Sequence, residues 1–259
     1  MDLLVEAELK RALAAPGCPL CRVGEEAVQR YLRFVFHESV NDPATRGRLA
    51  AAWGFCRRHA WHFLRLEWAT MRDGLSTANI AEGLVKTAEQ FLDDSLSTPS
   101  APGRGSRAVR ARVKKLVGTL TPTGECPACA LQAQHEDYAL TVLLRVLEEE
   151  VWRERFALSG GLCLHHLRRA LTAEESPDGI RWVIDDHRRR LHDLLADLEE
   201  YIRKHDYRFS GEPYGQERDA IVRATALLAG SWFDLPGRPP ARAETKSEPV
   251  EAQEGESHG

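Results

Sequence analysis

Apolar residues recur at intervals of three and four along most of the chain, which is the spacing of one face of an α-helix. The pattern predicts helices over residues 3–14, 75–96 and 177–205, and a long helix after Cys129 that continues through Trp152. Further helices are predicted between these segments. No stretch alternates apolar and polar residues for long enough to predict a β-strand. The pattern therefore predicts an all-α protein.

Turn-forming residues mark where the predicted helices begin and end. Asp42-Pro43 and Ser176-Pro177 each place a capping side chain before a proline, which suits the first turn of a helix. Gly54 and the pair Gly160-Gly161 interrupt helical stretches at corresponding places in the two halves of the chain. We expect a helix to end at each of these glycines.

Composition divides the chain into four predicted units. Residues 97–106 are rich in Ser, Pro and Gly and read as a linker. The division places a first helical repeat at 1–96, a linker and basic helix at 97–121, and a second repeat with a C-terminal helix pair at 122–235. The segment 236–259 is rich in Pro, Glu and Gly and is predicted to be disordered.

Two short phrases recur in the same order in both halves and contain all six cysteines. The first phrase is C-P-x-C and the second is G-[FL]-C-x-x-H, and the second and third cysteines are separated by 34 residues in the first copy and 33 in the second. This order and spacing predict an internally duplicated scaffold. The residues selected by the two phrases are Cys18, Cys21, Cys56, His59, Cys126, Cys129, Cys163 and His166.

Cysteine pairs and Cys-x-x-His pairs at these spacings are typical of metal ligands. Three thiolates and one imidazole form the four-ligand shell of closed structural zinc sites. The sequence predicts a helical bundle in which each half is pinned by its own Cys3His site. The first site would join Cys18 and Cys21 to Cys56 and His59, and the second would follow the same order. In the second copy the repeat alignment selects His166 as the ligand rather than its neighbour His165.

Several alternatives to two zinc ions per chain remain open. The same ligands suit an iron–sulfur cluster with one histidine ligand. The cysteines could also be buried reduced thiols, or each Cys-x-x-Cys pair could form a disulfide, which would leave Cys56 and Cys163 unexplained.

Charge and hydropathy exclude several classes of partner. The net charge is −4, which argues against a nucleic-acid partner, and the basic run from Arg104 to Lys115 lacks interleaved aromatic residues. No segment reaches the roughly 18 apolar residues of a membrane span, and the N-terminus lacks the features of a signal peptide. A cytoplasmic location is therefore expected, where paired cysteines more often bind metal than form disulfides.

The sequence resembles a bacterial family of uncharacterised cysteine-rich proteins. The resemblance covers most of residues 15–230 and brings no established activity. It rests on C-P-L-C, Arg30-Tyr31-Leu32, Val40-Asn41-Asp42-Pro43, G-F-C-R-R-H-A-W, the segment from Ile202 to Phe209, Glu212-Pro213, Gly215 and Glu217.

The leading functional hypothesis is a metalloprotein whose surface serves as a structural or regulatory module for an unidentified protein partner. The runner-up is an iron–sulfur redox or sensor protein. A third hypothesis is an enzyme with a polar site near His205–Glu217, although a cap for the end of a helix explains that segment more simply. No Ser/His/Asp set, phosphate-binding glycine loop or His-Glu-x-x-His helix supports catalysis.

Overall fold

The computed structural model describes residues 2–97, 105–173, 176–209 and 211–231. Over these residues it is all-α, with no strand, as predicted. Most of the predicted linker and the predicted disordered tail lie outside the described residues. The helices are α1 (Asp2–Leu13), α2 (Pro19–Phe34), α3 (Pro43–Ala51), α4 (Arg57–Met71), α5 (Leu75–Ser97), α6 (Gly105–Leu120), α7 (Pro127–Val146), α8 (Glu150–Leu158), α9 (Leu164–Leu171), α10 (Pro177–Lys204) and α11 (Ala220–Ala229).

The centre of the fold is an antiparallel pair formed by α2 and α7, the two helices that follow the C-P-x-C motifs. Leu20, near the start of α2, shares a buried cluster with Leu143, near the end of α7. Leu32, near the end of α2, shares a second cluster with Ala128, at the start of α7. The start of each helix therefore lies beside the end of the other.

Gly24 allows α2 and α7 to approach closely at the middle of this pair. A Cβ atom at Gly24 would lie 2.8 Å from Cγ of Glu136, whose side chain is buried against α2. No real Cβ makes so short a contact, so a larger residue would displace either the helix or the glutamate. The close approach of the two helices thus depends on the absence of a side chain at residue 24.

Gly24→Ala is expected to lower the free energy of unfolding by about 1–3 kcal/mol, because it overpacks the centre of the helix pair. Gly47→Ala in the exposed face of α3 is the matched control, since nothing lies within 4 Å of its Cβ position. That control should stabilise the protein by up to ~1 kcal/mol through helix propensity. Denaturant unfolding measures both, and equal stability of the two variants would contradict the close packing at Gly24.

Capping predictions are confirmed, whereas the predicted long helix after Cys129 is wrong. Asp42 accepts a hydrogen bond from the backbone N–H of Thr45 at 2.7 Å, and Ser176 accepts one from Gly179.

The helix after Cys129 ends at Val146, and α8 begins at Glu150. Arg153 donates to the free carbonyl of Leu147 at 2.6 Å, which satisfies the end of α7 without continuing the helix.

None of the helices in the described ranges combines the length and the hydrophobicity that a membrane span requires.

Helix α4 contains two tryptophans and is less buried than the spacing of its apolar residues suggests. Trp152 on α8 is buried, but Trp61 and Trp68 on α4 are 63% and 62% exposed. The apolar residues of α4 have helical spacing, although only part of the side that they form packs against the rest of the described chain.

Candidate metal centres

All four half-motifs begin a helix, as predicted. Cys18, Cys56, Cys126 and Cys163 are the N-cap residues of α2, α4, α7 and α9. N-cap side chains often accept a hydrogen bond from their own helix, but none of these four does so. Their sulfur atoms are therefore not used for helix capping and can bind a metal ion.

The second ligand of each half-motif is the third residue of its helix. Cys21, His59, Cys129 and His166 occupy this position. N-cap and third-residue side chains lie next to each other at the end of a helix, which is the geometry that the capping box uses. The unpaired N–H groups and partial positive charge at a helix start also favour thiolate over thiol.

The eight ligands form two groups of four, but the predicted pairing of half-motifs is wrong. Site 1 contains Cys18, Cys21, Cys163 and His166, and site 2 contains Cys56, His59, Cys126 and Cys129. Each site therefore joins a C-P-x-C motif from one half of the chain to the G-x-C-x-x-H motif of the other. The halves are not pinned separately.

Helix lengths explain why the motifs exchange partners. Residues 19–39 form α2 and a following π-helical turn, which extend about 30 Å at roughly 1.5 Å per residue. The helix that follows, α3, has 9 residues and returns only about 14 Å. Cys56 consequently stays near the far end of α2, where the antiparallel packing places the start of α7.

Site 1 is a compact and largely buried group of donor atoms. Nδ1 of His166 lies 3.4 Å from Sγ of Cys18, 3.5 Å from Sγ of Cys21 and 3.2 Å from Sγ of Cys163. The sulfur atoms of Cys21 and Cys163 are 3.7 Å apart. Only Cys21 among the four is partly exposed.

Site 2 has the same donors at similar distances and is more open. Nδ1 of His59 lies 3.4 Å from Sγ of Cys56, 3.6 Å from Sγ of Cys126 and 3.3 Å from Sγ of Cys129. The sulfur atoms of Cys56 and Cys129 are 3.6 Å apart, and both cysteines are partly exposed. All six cysteines in the two sites are outside disulfide bonds, so neither C-P-x-C pair forms a disulfide.

The two ligand histidines lie in different electrostatic surroundings. Burial lowers the pKa of His59 to about 4, and the neighbouring Arg58 charge acts in the same direction. Burial also opposes a charge on His166, but the sulfur atoms of Cys163 and Cys18 and the carboxylate of Glu136 raise its pKa to about 11. Site 1 therefore stabilises positive charge more strongly than site 2.

Glu136 on α7 contributes to this difference, after the larger effect of the Cys163 and Cys18 sulfur atoms. Its Oε2 lies 3.2 Å from Nε2 of His166, although that N–H direction is not aligned for a hydrogen bond. Gln132 donates to Oε1 at 2.8 Å, and Arg169 pairs with Oε2 at 2.8 Å. Burial alone would raise the pKa of Glu136, but contacts with His166, Gln132 and Arg169 hold it below its ordinary value. The buried carboxylate is thus kept charged behind the site 1 histidine.

Site 2 has a carboxylate nearby, but one helical turn away from its ligand histidine. Glu25 on α2 lies 3.3 Å from Nδ1 of His62 and 2.5 Å from the guanidinium of Arg58. Nε2 of His59 is buried and makes no hydrogen bond within the described part of the chain. The two sites therefore share a ligand set and differ in what holds the histidine.

Glu136→Gln is expected to weaken metal binding at site 1 by roughly 10- to 100-fold and to leave site 2 unchanged, because outer carboxylates orient ligand histidines. Asp137→Asn is the matched control, since Asp137 is exposed and contacts Arg169 rather than His166. Competition titration with a chromogenic zinc chelator measures both sites. Equal loss at the two sites would contradict a specific role for Glu136.

Parts of the site 1 environment gave no local signal in the sequence. Gly230, just after α11, has φ +91°, and a Cβ there would lie 3.4 Å from Sγ of Cys21. The hydroxyl of Ser231 accepts a hydrogen bond of 2.7 Å from the backbone N–H of Cys18. The segment after α11 therefore covers site 1, and the one local sequence feature that corresponds to it is a glycine just beyond the end of a helix.

Two polar side chains on α10 are buried rather than solvated. Asp186 and His187 are 4% and 3% exposed. Asp186 pairs with Arg190 at 2.5 Å, and Arg190 donates to the backbone carbonyls of Ser159 and Phe156 at 2.8 Å each. This ion pair anchors the loop that leads to Cys163.

The polar groups of the His205–Glu217 segment are paired with one another. Lys204 lies 2.6 Å from the Glu217 carboxylate and donates to the carbonyl of Pro213 at 2.8 Å. Nδ1 of His205 contacts the carbonyl of Tyr201 at 2.8 Å. These contacts close the C-terminal end of α10 onto the following loop.

Comparisons with known proteins support the assignment of the chain to a family. No curated protein and no solved structure shows significant similarity to the chain. A protein-family model described as a family of unknown function (DUF6062) matches residues 9–234. The match includes all eight residues of sites 1 and 2. The chain therefore belongs to DUF6062, a family of unknown function.

Proposed function

We propose that the protein binds two Zn²⁺ ions, one at each site, and that the ions tie the two halves of the chain together. Three thiolates and one imidazole are the ligands of closed structural zinc sites. With four protein ligands, neither site keeps the open position that catalytic zinc needs for water or substrate. The ions would supply cross-linking and charge neutralisation.

The distances between donor atoms carry this proposal. A tetrahedron with Zn–S bonds of about 2.3 Å and a Zn–N bond of about 2.0–2.1 Å has S–S edges of about 3.8 Å and S–N edges of about 3.6 Å. The Cys21–Cys163 and Cys56–Cys129 S–S distances are 3.7 and 3.6 Å, and all donor atoms of each site lie within 4.8 Å of one another. The S–N distances run from 3.2 to 3.6 Å. Both sites therefore have the size of a single tetrahedral ion.

The same compactness disfavours an iron–sulfur cluster. In a cluster the cysteines bind different iron atoms, which sulfide ions separate, so the ligand atoms spread apart. Here all ligand atoms of each site lie within 4.8 Å of one another. A cluster would require both sites to expand.

The pairing of the motifs supports a scaffold role. Each ion would connect two helix starts from different halves, so the positions of α2, α4, α7 and α9 would depend on metal. Such a scaffold presents a fixed surface, and we assign the protein the role of a structural or regulatory module for a protein partner. The internal duplication and the four-part division of the chain stay predictions.

Metal analysis of the purified protein tests this function. We expect about two zinc per chain and a colourless solution, because Zn²⁺ has no partly filled d shell. The protein should be purified anaerobically and without added metal, and iron and sulfide should be measured in parallel. A brown protein containing iron and sulfide would replace the zinc proposal with the cluster alternative.

An enzyme site near His205–Glu217 has less support. The Glu217 carboxylate is bound by Lys204 and by the backbone N–H of Gly215, at 2.6 and 2.7 Å. These contacts occupy the groups that would act on a substrate. Glu217→Gln should therefore lower stability, and an effect on a reaction without loss of stability would favour the enzyme.

A further inference from the structure

Helix α10 carries a straight line of exposed aliphatic side chains. Ile184, Leu191, Leu195 and Ile202 are 45%, 43%, 56% and 68% exposed. At about 100° per residue, all four lie within an arc of about 40° on the helix surface. Single exposed aliphatic residues are common, but four aligned along one face of a helix, at intervals of 7, 4 and 7 residues, are typical of a contact surface.

The rest of the described chain packs on a neighbouring face of α10 and leaves this line uncovered. Val183, His187 and Leu194 are buried on that neighbouring face. They lie roughly 60–100° around the helix from the exposed line, at 3.6 residues per turn. The rest of the described chain therefore covers only part of the apolar surface of α10.

The spacing of the four residues is symmetric about Asp193. Leu191 and Leu195 lie 2 residues from it on either side, and Ile184 and Ile202 lie 9 residues from it. A two-fold axis between antiparallel helices pairs each position before the midpoint with the equally distant position after it. Two copies of α10 would thus pair Ile184 with Ile202 and Leu191 with Leu195 of the second copy.

Charged residues beside the line fit the same arrangement. Arg188 lies 5 residues before Asp193 and Glu199 lies 6 residues after it, both exposed and on the same side of the line. In the antiparallel pair, Arg188 of each copy lies beside Glu199 of the other. Neither residue forms an ion pair within the described part of its own chain, so both are free for the second copy.

From this symmetry we propose that the protein forms a homodimer through antiparallel contact of two α10 helices. The contact runs from Ile184 to Ile202, about 27 Å of helix at roughly 1.5 Å per residue. Sites 1 and 2 are not part of it, so the dimer is independent of the proposed metal function.

The oligomeric state of the full, metal-loaded chain tests the proposal. Sedimentation equilibrium over a concentration series should show a monomer–dimer equilibrium. Leu195→Glu should give a monomer, because it places two like charges in the apolar contact. Asp193→Lys is the matched control, since Asp193 is exposed on the opposite face of the same helix, and it should dimerise as the wild type does.

Charge reversal tests the antiparallel register. Arg188→Glu and Glu199→Arg should each raise the dimer dissociation constant roughly tenfold, since each turns two attractions into repulsions. An equimolar mixture of these two variants should form a heterodimer with both attractions restored, as tight as the wild-type dimer. Circular dichroism and metal content establish that every variant is folded.

Three results would overturn the proposal. One is a wild-type chain that stays monomeric throughout the concentration series. Another is a dimer that Leu195→Glu leaves intact. The third is a mixture of Arg188→Glu and Glu199→Arg that associates no more tightly than either variant alone.

Discussion

His166→Ala is expected to lose one metal ion per chain and to unfold at a much lower temperature than the wild type. His166 is 1% exposed, and its Nδ1 lies 3.2–3.5 Å from three sulfur atoms. A structural zinc ion contributes on the order of 10 kcal/mol to folding. Whole domains are stable by only about 5–15 kcal/mol, so losing one site removes most of the stability.

His165→Ala is the matched control for this prediction. His165 is the preceding residue on α9, so both variants change a histidine in the same helix turn. It is exposed, its Nε2 lies 3.5 Å from Arg169, and its ring packs edge-on against His166 with the ring centroids 5.1 Å apart. We expect His165→Ala to keep both ions and melt close to the wild type. Loss of metal from both variants, or from neither, would contradict the assignment of His166.

Chelation of the wild-type protein is expected to loosen both halves of the chain together. Each site takes two residues from each half, so the loss of either ion removes a link between the halves. The ion of site 2 should leave first, because Cys56 and Cys129 are partly exposed whereas Gly230 covers site 1. Added zinc should restore the fold, since binding free energy is folding free energy.

Hydrogen exchange during chelation measures this effect. Protection of backbone amides in α2 and α7 should fall together, and a colorimetric zinc indicator should record release in two phases. Persistent protection of one half after both ions have left would show that the halves fold independently of the metal.

The eight residues of the two candidate sites and their helix starts could be predicted from sequence because each half-motif is local. A Cys-x-x-Cys or Cys-x-x-His phrase fixes two ligands on one helical turn, and proline or glycine marks where that turn begins. The pairing of half-motifs is not local. It depends on the antiparallel packing of α2 against α7, which the order of the motifs does not reveal.

The lengths of the helices between Cys18 and Cys56 indicate the pairing. The helix after Cys18 is long and the helix after Asp42 is short, so the chain does not return to Cys18 before Cys56. Glu136 gave no such indication. Its role depends on Gly24 across the helix contact, and no pattern within either helix connects the two residues.

In α4 and α10 the burial of several side chains could not be predicted from their polarity and helical spacing alone. Trp61 and Trp68 have the spacing of core residues and yet are exposed, while Asp186 and His187 are polar and yet buried. In the second case Arg190 neutralises the Asp186 carboxylate. An apolar stripe shows which side of a helix avoids water, but not whether the same chain covers it.

The zinc content of two double variants tests the central claim that each site joins the two halves. Cys21→Ser/Cys163→Ser removes two ligands from site 1 alone, and should retain about one zinc per chain at site 2. Cys21→Ser/Cys56→Ser removes one ligand from each site and should retain no tightly bound zinc. Both variants lose two thiols, so the contrast between them reports the pairing. The opposite result, with no zinc in the first variant and about one per chain in the second, would show that each half holds its own ion.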